Sequence, residues 1–102
     1  MWRDVGCIDD LPDGRGVAVT VEGEPLMVVR LGDRVFATHG LCSHEDKPLA
    51  GGHPEDGCRW ECPHHGARFD LATGRATLLP AVAPIETFPV RIEGGRIWVD
   101  FE

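Results

Sequence analysis

The sequence predicts an all-β fold, either a small antiparallel sandwich or a partly open barrel. Thirteen glycines and eight prolines are spread evenly over 102 residues, and this punctuation is typical of many short strands joined by turns. No window of about twelve residues shows an apolar period near 3.6, so the pattern leaves room for no more than a short helical turn, around residues 48–50. A chain of this length fits a single domain, residues 1–102.

The first strands are predicted after a glycine turn at residues 13–16. Val17, Val19 and Val21 alternate along the chain, as in a strand with one buried face. Residues 26–30 form a second run of strand-forming residues, and a further glycine turn leads into residues 35–38. The first part of the chain therefore predicts three strands in succession.

The clearest hairpin lies near the C-terminal end, where residues 89–93 and 96–100 flank Gly94 and Gly95. Two glycines tolerate the positive φ that a tight two-residue turn requires, and such a loop fixes the register of the strands. The predicted cross-strand pairs are Ile92 with Ile97, Val90 with Val99, and Arg91 with Trp98. The last pair would allow a cation–π contact on the face opposite the other two.

The middle of the chain differs in composition. Residues 40–66 are rich in cysteine, histidine, glycine, proline and acids, with one strand signal over residues 57–61. A strand returns at 67–70, and residues 79–84 form an extended loop with two prolines. We therefore expect a two-loop subdomain over about residues 40–84, inserted into a basal β domain.

Charge and terminal composition limit the partners and the location. Seventeen acids against ten bases give a formal net charge of -7, which argues against nucleic-acid binding. The acids serve solubility or form a face that steers the protein to a basic partner. The first residues do not resemble a signal peptide, and no apolar run approaches a membrane span. We expect a cytoplasmic monomer without a membrane or nucleic-acid partner, whose cysteines are metal ligands or free thiols rather than disulfides.

Two short motifs combine thiols with imidazoles, which are the soft and borderline metal ligands of proteins. Cys42 and His44 form C-x-H, and after seventeen residues Cys62 and His65 form C-x-x-H. The set allows a structural zinc or an iron–sulfur cluster. The mixed pairs and the lack of a helix argue against a zinc finger, and a rubredoxin-like iron would require four thiolates. A two-iron cluster, with both thiolates on one iron and both imidazoles on the other, fits the mixed pairs.

The sequence resembles the Rieske-type [2Fe–2S] ferredoxins, in particular their low-potential, oxygenase-ferredoxin-like branch. The stretches LCSHEDKPL and CPHHGARFDLATG, the proline loop and the closing Gly-Gly hairpin all fall where this family has them, over nearly the whole chain. The resemblance implies a Rieske-like fold with one [2Fe–2S] cluster, held by Cys42, His44, Cys62 and His65. It also implies that His65 rather than its neighbour His64 binds iron.

The remaining cysteines and histidines match no ligand position of the family. We expect Cys58 to be a buried small residue and Cys7 to be structural, and we expect His39 and His53 to be ordinary surface histidines. In the respiratory branch each box carries an extra cysteine, and the two form a disulfide. Lys47 and His64 stand at those positions here, so the resemblance implies no such bridge.

Two further positions bear on the redox potential. The high-potential branch places a serine and a tyrosine hydroxyl near the cluster, where Ala67 and Phe69 stand in this chain. The resemblance therefore implies a potential in the lower half of the Rieske range.

The resemblance implies a soluble one-electron carrier rather than an enzyme. Such carriers relay electrons from a flavin-dependent NAD(P)H reductase to a terminal Rieske-type oxygenase that acts on aromatic rings or related substrates. The chain carries no nucleotide-binding glycine motif and no mononuclear-iron motif of two histidines and a carboxylate. Two alternatives remain open: a small Rieske subunit of a nitrite-reductase-like enzyme, and an accessory protein of iron–sulfur assembly.

Overall fold

The computed structural model describes residues 1–42, 47–55, 57–63, 66–78 and 83–101. These residues form eleven β-strands, one short 3-10 helix at Ile8–Asp10 and no α-helix, which confirms the all-β prediction. No helix in the described ranges has the length and apolar content to cross a membrane. In chain order the strands are β1 Trp2–Cys7, β2 Gly16–Val21, β3 Glu24–Leu31, β4 Arg34–His39, β5 His53–Glu55, β6 Arg59–Glu61, β7 Arg68–Asp70, β8 Ala76–Leu78, β9 Thr87–Phe88, β10 Val90–Glu93 and β11 Arg96–Asp100.

The strands form three antiparallel sheets, two of which make the basal barrel. One sheet has the order β2-β3-β4-β9 and the other the order β1-β11-β10. Only Pro89 separates β9 from β10, so one bent segment pairs first with β4 and then with β11 and joins the two sheets. At the opposite side β1 and β2 are neighbours but do not pair, so the barrel stays open along this seam. This is the partly open barrel that the sequence predicts.

The third sheet, with the order β5-β6-β7-β8, falls within residues 40–84. We predicted one strand between the two ligand loops, and the structure has two, β5 and β6. The strand β5 was not predicted, because His53-Pro54-Glu55 shows no alternation of apolar and polar residues. The sequence left room for a short helical turn near residues 48–50, but residues 50–51 form an ordinary turn, and the short helix of the described residues lies at Ile8–Asp10 instead. The division into a basal domain and an inserted subdomain stays a prediction.

The C-terminal hairpin has the register that its glycine turn predicts, with Ile92 opposite Ile97 and Val90 opposite Val99. Ile97 and Val99 belong to the barrel core, whereas Ile92 is 43% exposed at the sheet edge. Arg91 is opposite Trp98, as predicted, but its guanidinium lies over another ring. That ring belongs to Trp2 on β1, with the centroid 4.5 Å away.

The largest core cluster packs the barrel against the third sheet. Met27 and Val29 of β3 contribute from the barrel, and Trp60 of β6 and Phe69 of β7 from the third sheet. All four side chains are fully buried, so the barrel and the third sheet share one interface that excludes solvent. Cys42, Leu49 and Cys62 belong to the same cluster. The fold therefore brings the cysteines of both motifs into one core.

Candidate metal centre

Both motif cysteines lie at the ends of strand segments and are buried. Cys42 follows β4 after two residues, and Cys62 follows β6 directly. Each is only 1% exposed, although each begins a polar loop. Burial of an ionised thiolate is costly unless a positive charge compensates it, and a metal ion supplies such a charge. The environment of the two thiols therefore fits metal ligation.

The two cysteines begin loops that close in the same way. The Cys42 N–H donates to the Lys47 carbonyl and the Cys62 N–H donates to the Ala67 carbonyl, both at 2.7 Å. Each bond joins residues five positions apart, so the chain leaves and re-enters at a closed base. The predicted ligands His44 and His65, and the neighbouring His64, lie outside the described residues.

The first loop is anchored on the start of β3. The Gly40 N–H donates to the Pro25 carbonyl at 2.9 Å, and the Leu49 N–H donates to the Gly40 carbonyl at 2.9 Å. Leu41 and Pro48 form an antiparallel bridge between these bonds. A short ladder thus carries Cys42, and its position is set by the barrel.

The second loop is anchored by its flanking strands and by a glycine. Glu61 and Arg68 are opposite each other in β6 and β7, on either side of the loop. Gly66 has φ of 70°, a left-handed conformation that glycine adopts at little cost. It leads the chain into Ala67, which is fully buried and whose carbonyl receives the Cys62 N–H. Glycine at 66 is therefore required by the backbone of the loop.

A network of ion pairs lies at the base of the second loop. His53, Glu61 and Arg68 are opposite one another across β5, β6 and β7, and Glu55 completes the group. Arg68 contacts Glu61 at 2.9 Å and Glu55 at 3.2 Å, and His53 contacts the same carboxylates at 3.2 and 2.9 Å. The hydrogen bond from Arg68 lowers the pKa of Glu61, and His53 adds to this effect. His53 is exposed, as predicted, but it belongs to an ordered network.

The same group has the residue types of a metal site. Ligand atoms of His53, Glu55 and Glu61 all lie within 4.8 Å of one another. Arg68, however, binds both carboxylates, and the two imidazole nitrogens of His53 lie 2.9 and 3.2 Å from the same two groups. Arg68 therefore already gives both carboxylates a positively charged partner within the protein.

The other two cysteines do not join the motif cysteines. Cys7 is on β1 in the barrel and is half-buried, and none of the four cysteines forms a disulfide. Cys58 is half-buried rather than buried, so that prediction is wrong in degree. Its thiol lies 3.4 Å from the Asp70 carboxylate, while the rest packs against the core. Burial alone would raise the pKa of the Asp70 carboxyl. Hydrogen bonds from the Ala72 N–H and the Cys58 thiol outweigh this effect, so the pKa lies below its ordinary value.

Comparison with known proteins settles the family. Residues 1–89 match the model of the Rieske [2Fe-2S] domain. The chain belongs to the Rieske [2Fe–2S] family. Rieske domains carry a [2Fe–2S] cluster, so the predicted cofactor and the predicted family are both confirmed. The buried thiols of Cys42 and Cys62 are donors of the type that such a cluster takes.

Several proteins similar to this Rieske chain are ferredoxins of oxygenase systems. It is 38% identical, over 99% of its length and 96% of the relative, to the ferredoxin component of naphthalene 1,2-dioxygenase/salicylate 5-hydroxylase systems from a Ralstonia species. Its structure resembles the ferredoxin of carbazole 1,9a-dioxygenase from Nocardioides aromaticivorans IC177, with a TM-score of 0.92, 39% identity and coverage of 97% and 96%. A second similar ferredoxin, from a complex of reduced oxygenase and oxidised ferredoxin in carbazole 1,9a-dioxygenase, has a TM-score of 0.87, 34% identity and coverage of 96% and 91%.

Proposed function

We propose that this Rieske protein is an electron carrier that passes single electrons to a terminal oxygenase acting on aromatic or related substrates. The observation that carries the proposal is the two-way match, over almost the full length of both chains, with ferredoxin components of such systems. A ferredoxin of similar fold forms a complex with its oxygenase. These relatives favour the oxygenase ferredoxin over the nitrite-reductase subunit and over the assembly accessory protein.

The proposed ligands are Cys42 and Cys62 on one iron and His44 and His65 on the other. The equivalent closed loops and the burial of both thiols support the cysteine pair. The spacing of the two motifs supports the histidines. When bound, the cluster supplies a one-electron couple. The chain's own part is to hold the thiolates in a dry environment and to fix the loops that carry the four ligands.

The proposed electron donor is a flavin-dependent NAD(P)H reductase, and the proposed location is the cytoplasm. The protein acts as a monomer that meets its two partners in turn. It has no catalytic residues of its own, since its task ends with the transfer of the electron.

A reconstituted chain of electron transfer tests the proposal. Holoprotein, NADH and a flavin-dependent reductase from a naphthalene dioxygenase system are mixed with the matching terminal oxygenase and naphthalene. We expect product formation to depend on the added holoprotein, and we expect Cys62→Ser protein to give none. Cys58→Ser is the matched control and should support product formation like the parent. Transfer to a sirohaem nitrite reductase, with none to the oxygenase, would support the alternative subunit role.

A further inference from the structure

Trp60 connects the strand of the second cysteine loop to the main chain of the first. It lies on β6, two residues before Cys62, and its side chain is fully buried. Its indole N–H donates to the Leu49 carbonyl at 2.9 Å. Leu49 ends the short ladder that carries Cys42, because its own N–H donates to the Gly40 carbonyl. One side chain thus joins the bases of both loops.

Two glycines make room for this indole. A Cβ atom at Gly52 would come within 2.9 Å of the Trp60 Nε1 atom and would collide with the Glu61 carbonyl oxygen. A Cβ atom at Gly16 would come within 2.9 Å of both the Trp60 ring and the Met27 sulfur. Neither glycine has a positive φ, so no backbone conformation requires it. Close packing against the Trp60 ring and the Met27 sulfur explains Gly16, whereas Gly52 is required first by the close approach of the Glu61 main chain and then by the indole.

The position of each glycine shows what the indole touches. Gly16 begins β2 at the edge of the barrel, and Gly52 lies between the end of the first loop and β5. The Gly52 N–H also donates to the Leu49 carbonyl, at 3.1 Å, so this oxygen receives two donors. The tryptophan therefore lies where the barrel, the first loop and the strand of the second loop meet.

We propose that Trp60 is a positioning residue that sets the distance and orientation of the two cysteine loops relative to each other. The inference rests on the proposed ligands Cys42 and Cys62, which must reach one iron from two separate loops. A buried indole N–H needs a hydrogen-bond acceptor. If this donor is removed, the buried Leu49 carbonyl keeps only the hydrogen bond from the Gly52 N–H. An ordinary core residue would stabilise the fold without changing how the loops present their thiols.

The test is Trp60→Phe, which keeps an aromatic ring and removes the donor. Val29→Ala is the matched control, because it opens a small cavity in the same core cluster from the barrel side and leaves the Leu49 carbonyl bonded. Two properties of the holoproteins are compared: the rate of iron release to a chelator below the unfolding temperature, and the g-values of the reduced cluster. We expect Trp60→Phe to release iron roughly tenfold faster than Val29→Ala of similar unfolding stability, with shifted g-values. Equal release rates and parental g-values in both variants would overturn the proposal.

Hydrogen exchange of the parent decides the matter if Trp60→Phe does not fold. We expect the Trp60 indole N–H to exchange as slowly as the core amides in both the holoprotein and the cluster-free protein. Fast exchange in either form would mean that the bond does not hold the loops. Failure of the ligand assignment is a separate outcome, seen as a parent-like cluster in Cys42→Ser or Cys62→Ser protein whatever Trp60 does.

Discussion

Arg68 and Glu61 face each other across β6 and β7, with Nε of the arginine 2.9 Å from a carboxylate oxygen of the glutamate. The pair closes the base of the loop that starts at Cys62 and returns through Ala67. His53 and Glu55 extend the pair into a network over three strands. Because the side chains remain partly exposed, the contribution of each pair to global stability is small and is reduced by salt. Because Glu61 directly precedes the proposed ligand Cys62, we expect the pair with Arg68 to affect the second loop more than the fold as a whole.

Glu61→Gln should weaken retention of the cluster more than it weakens the fold. Arg68 lowers the pKa of Glu61, so the ionised pair stabilises the native state above the ordinary pKa of glutamate, and this contribution disappears as the pH falls through the lowered value. The difference between parent and variant in cluster retention should therefore be present at pH 7 and shrink below about pH 4.

The measurement is the loss of visible absorbance with time at each pH. Asp4→Asn is the control, since Arg96 likewise lowers the pKa of Asp4 by a hydrogen bond in the basal barrel. That variant should lose its cluster at the parental rate. Equal loss from both variants would show that the network acts through the whole fold rather than on the second loop.

The ligand assignment predicts a clear division between variants. The parent should contain about two irons and two acid-labile sulfides per chain, and His65→Ala should lose them because an open iron position invites hydrolysis. His64→Ala should keep the cluster. Iron and sulfide analysis of the purified proteins checks both expectations. Stoichiometric zinc without sulfide in the parent, or an exchange of roles between the two histidines, would contradict the assignment.

Short sequence motifs predicted the features that depend on residues close together in the chain. The pairing of Ile92 with Ile97 followed from a two-glycine loop, because such a loop leaves one register. Motif spacing selected Cys42 and Cys62 as proposed ligands, and the structure places both in one core cluster, while their role as ligands stays a prediction. The contact of Arg91 with Trp2 could not be predicted, since it depends on β1 adding to the far side of β11.

The contacts beneath the site depend on tertiary register. His53 meets Glu61 only because β5 pairs with β6, and a strand of three residues without apolar alternation gives no sequence signal. Trp60 and Leu49 are eleven residues apart, and their bond forms because β6 turns the indole back toward the first loop. Gly52 is closely packed in the structure, and its presence in the sequence is a weak sign of such a contact. Glycine in a loop is more often required by a turn, so the sequence alone does not reveal the contact.

Docking of a basic partner at the cluster loops should depend on charge near those loops. Within residues 40–84 there are six acids and four bases, and in the rest of the chain eleven acids and six bases. Lys47, the single lysine of the chain, is exposed at the end of the first loop. Because acids exceed bases in both parts of the chain, association with a basic partner should slow as salt rises. If the partner docks at the loops, Lys47→Glu, which replaces a positive by a negative charge beside the first loop, should accelerate association at low salt.

Stopped-flow reduction by the reductase measures this rate. Arg15→Glu makes the same change of charge at an exposed position of the basal barrel and is the matched control. We expect a larger acceleration from Lys47→Glu than from Arg15→Glu. An equal effect would place the docking face away from the loops, and a rate that is flat from low to moderate ionic strength would indicate apolar docking.

The redox potential should lie in the lower half of the Rieske range of about -150 to +300 mV. Ala67 and Phe69 stand where the high-potential branch has hydroxyl donors, and both are fully buried in the core cluster that contains Cys42 and Cys62. A hydrogen bond to a charged acceptor contributes roughly 1.5–3 kcal/mol, of which about 1–2 kcal/mol would differ between oxidised and reduced states. At about 59 mV per 1.4 kcal/mol for one electron, Ala67→Ser and Phe69→Tyr should each raise the potential by roughly 40–80 mV.

Phe69→Tyr carries a second expectation, which concerns stability. Phe69 is opposite Trp60 in the sheet and is closely packed, so an added hydroxyl should cost about 1–3 kcal/mol of stability unless it finds an acceptor. A Phe69→Tyr protein whose hydroxyl reaches a cluster sulfur should therefore show a raised potential together with a small loss of stability. Voltammetry and thermal unfolding of the parent, the single variants and the double variant measure both quantities. A parental potential above about +150 mV would contradict the low-potential assignment. A low parental value that neither hydroxyl raises would keep that assignment and exclude the missing hydroxyls as its cause.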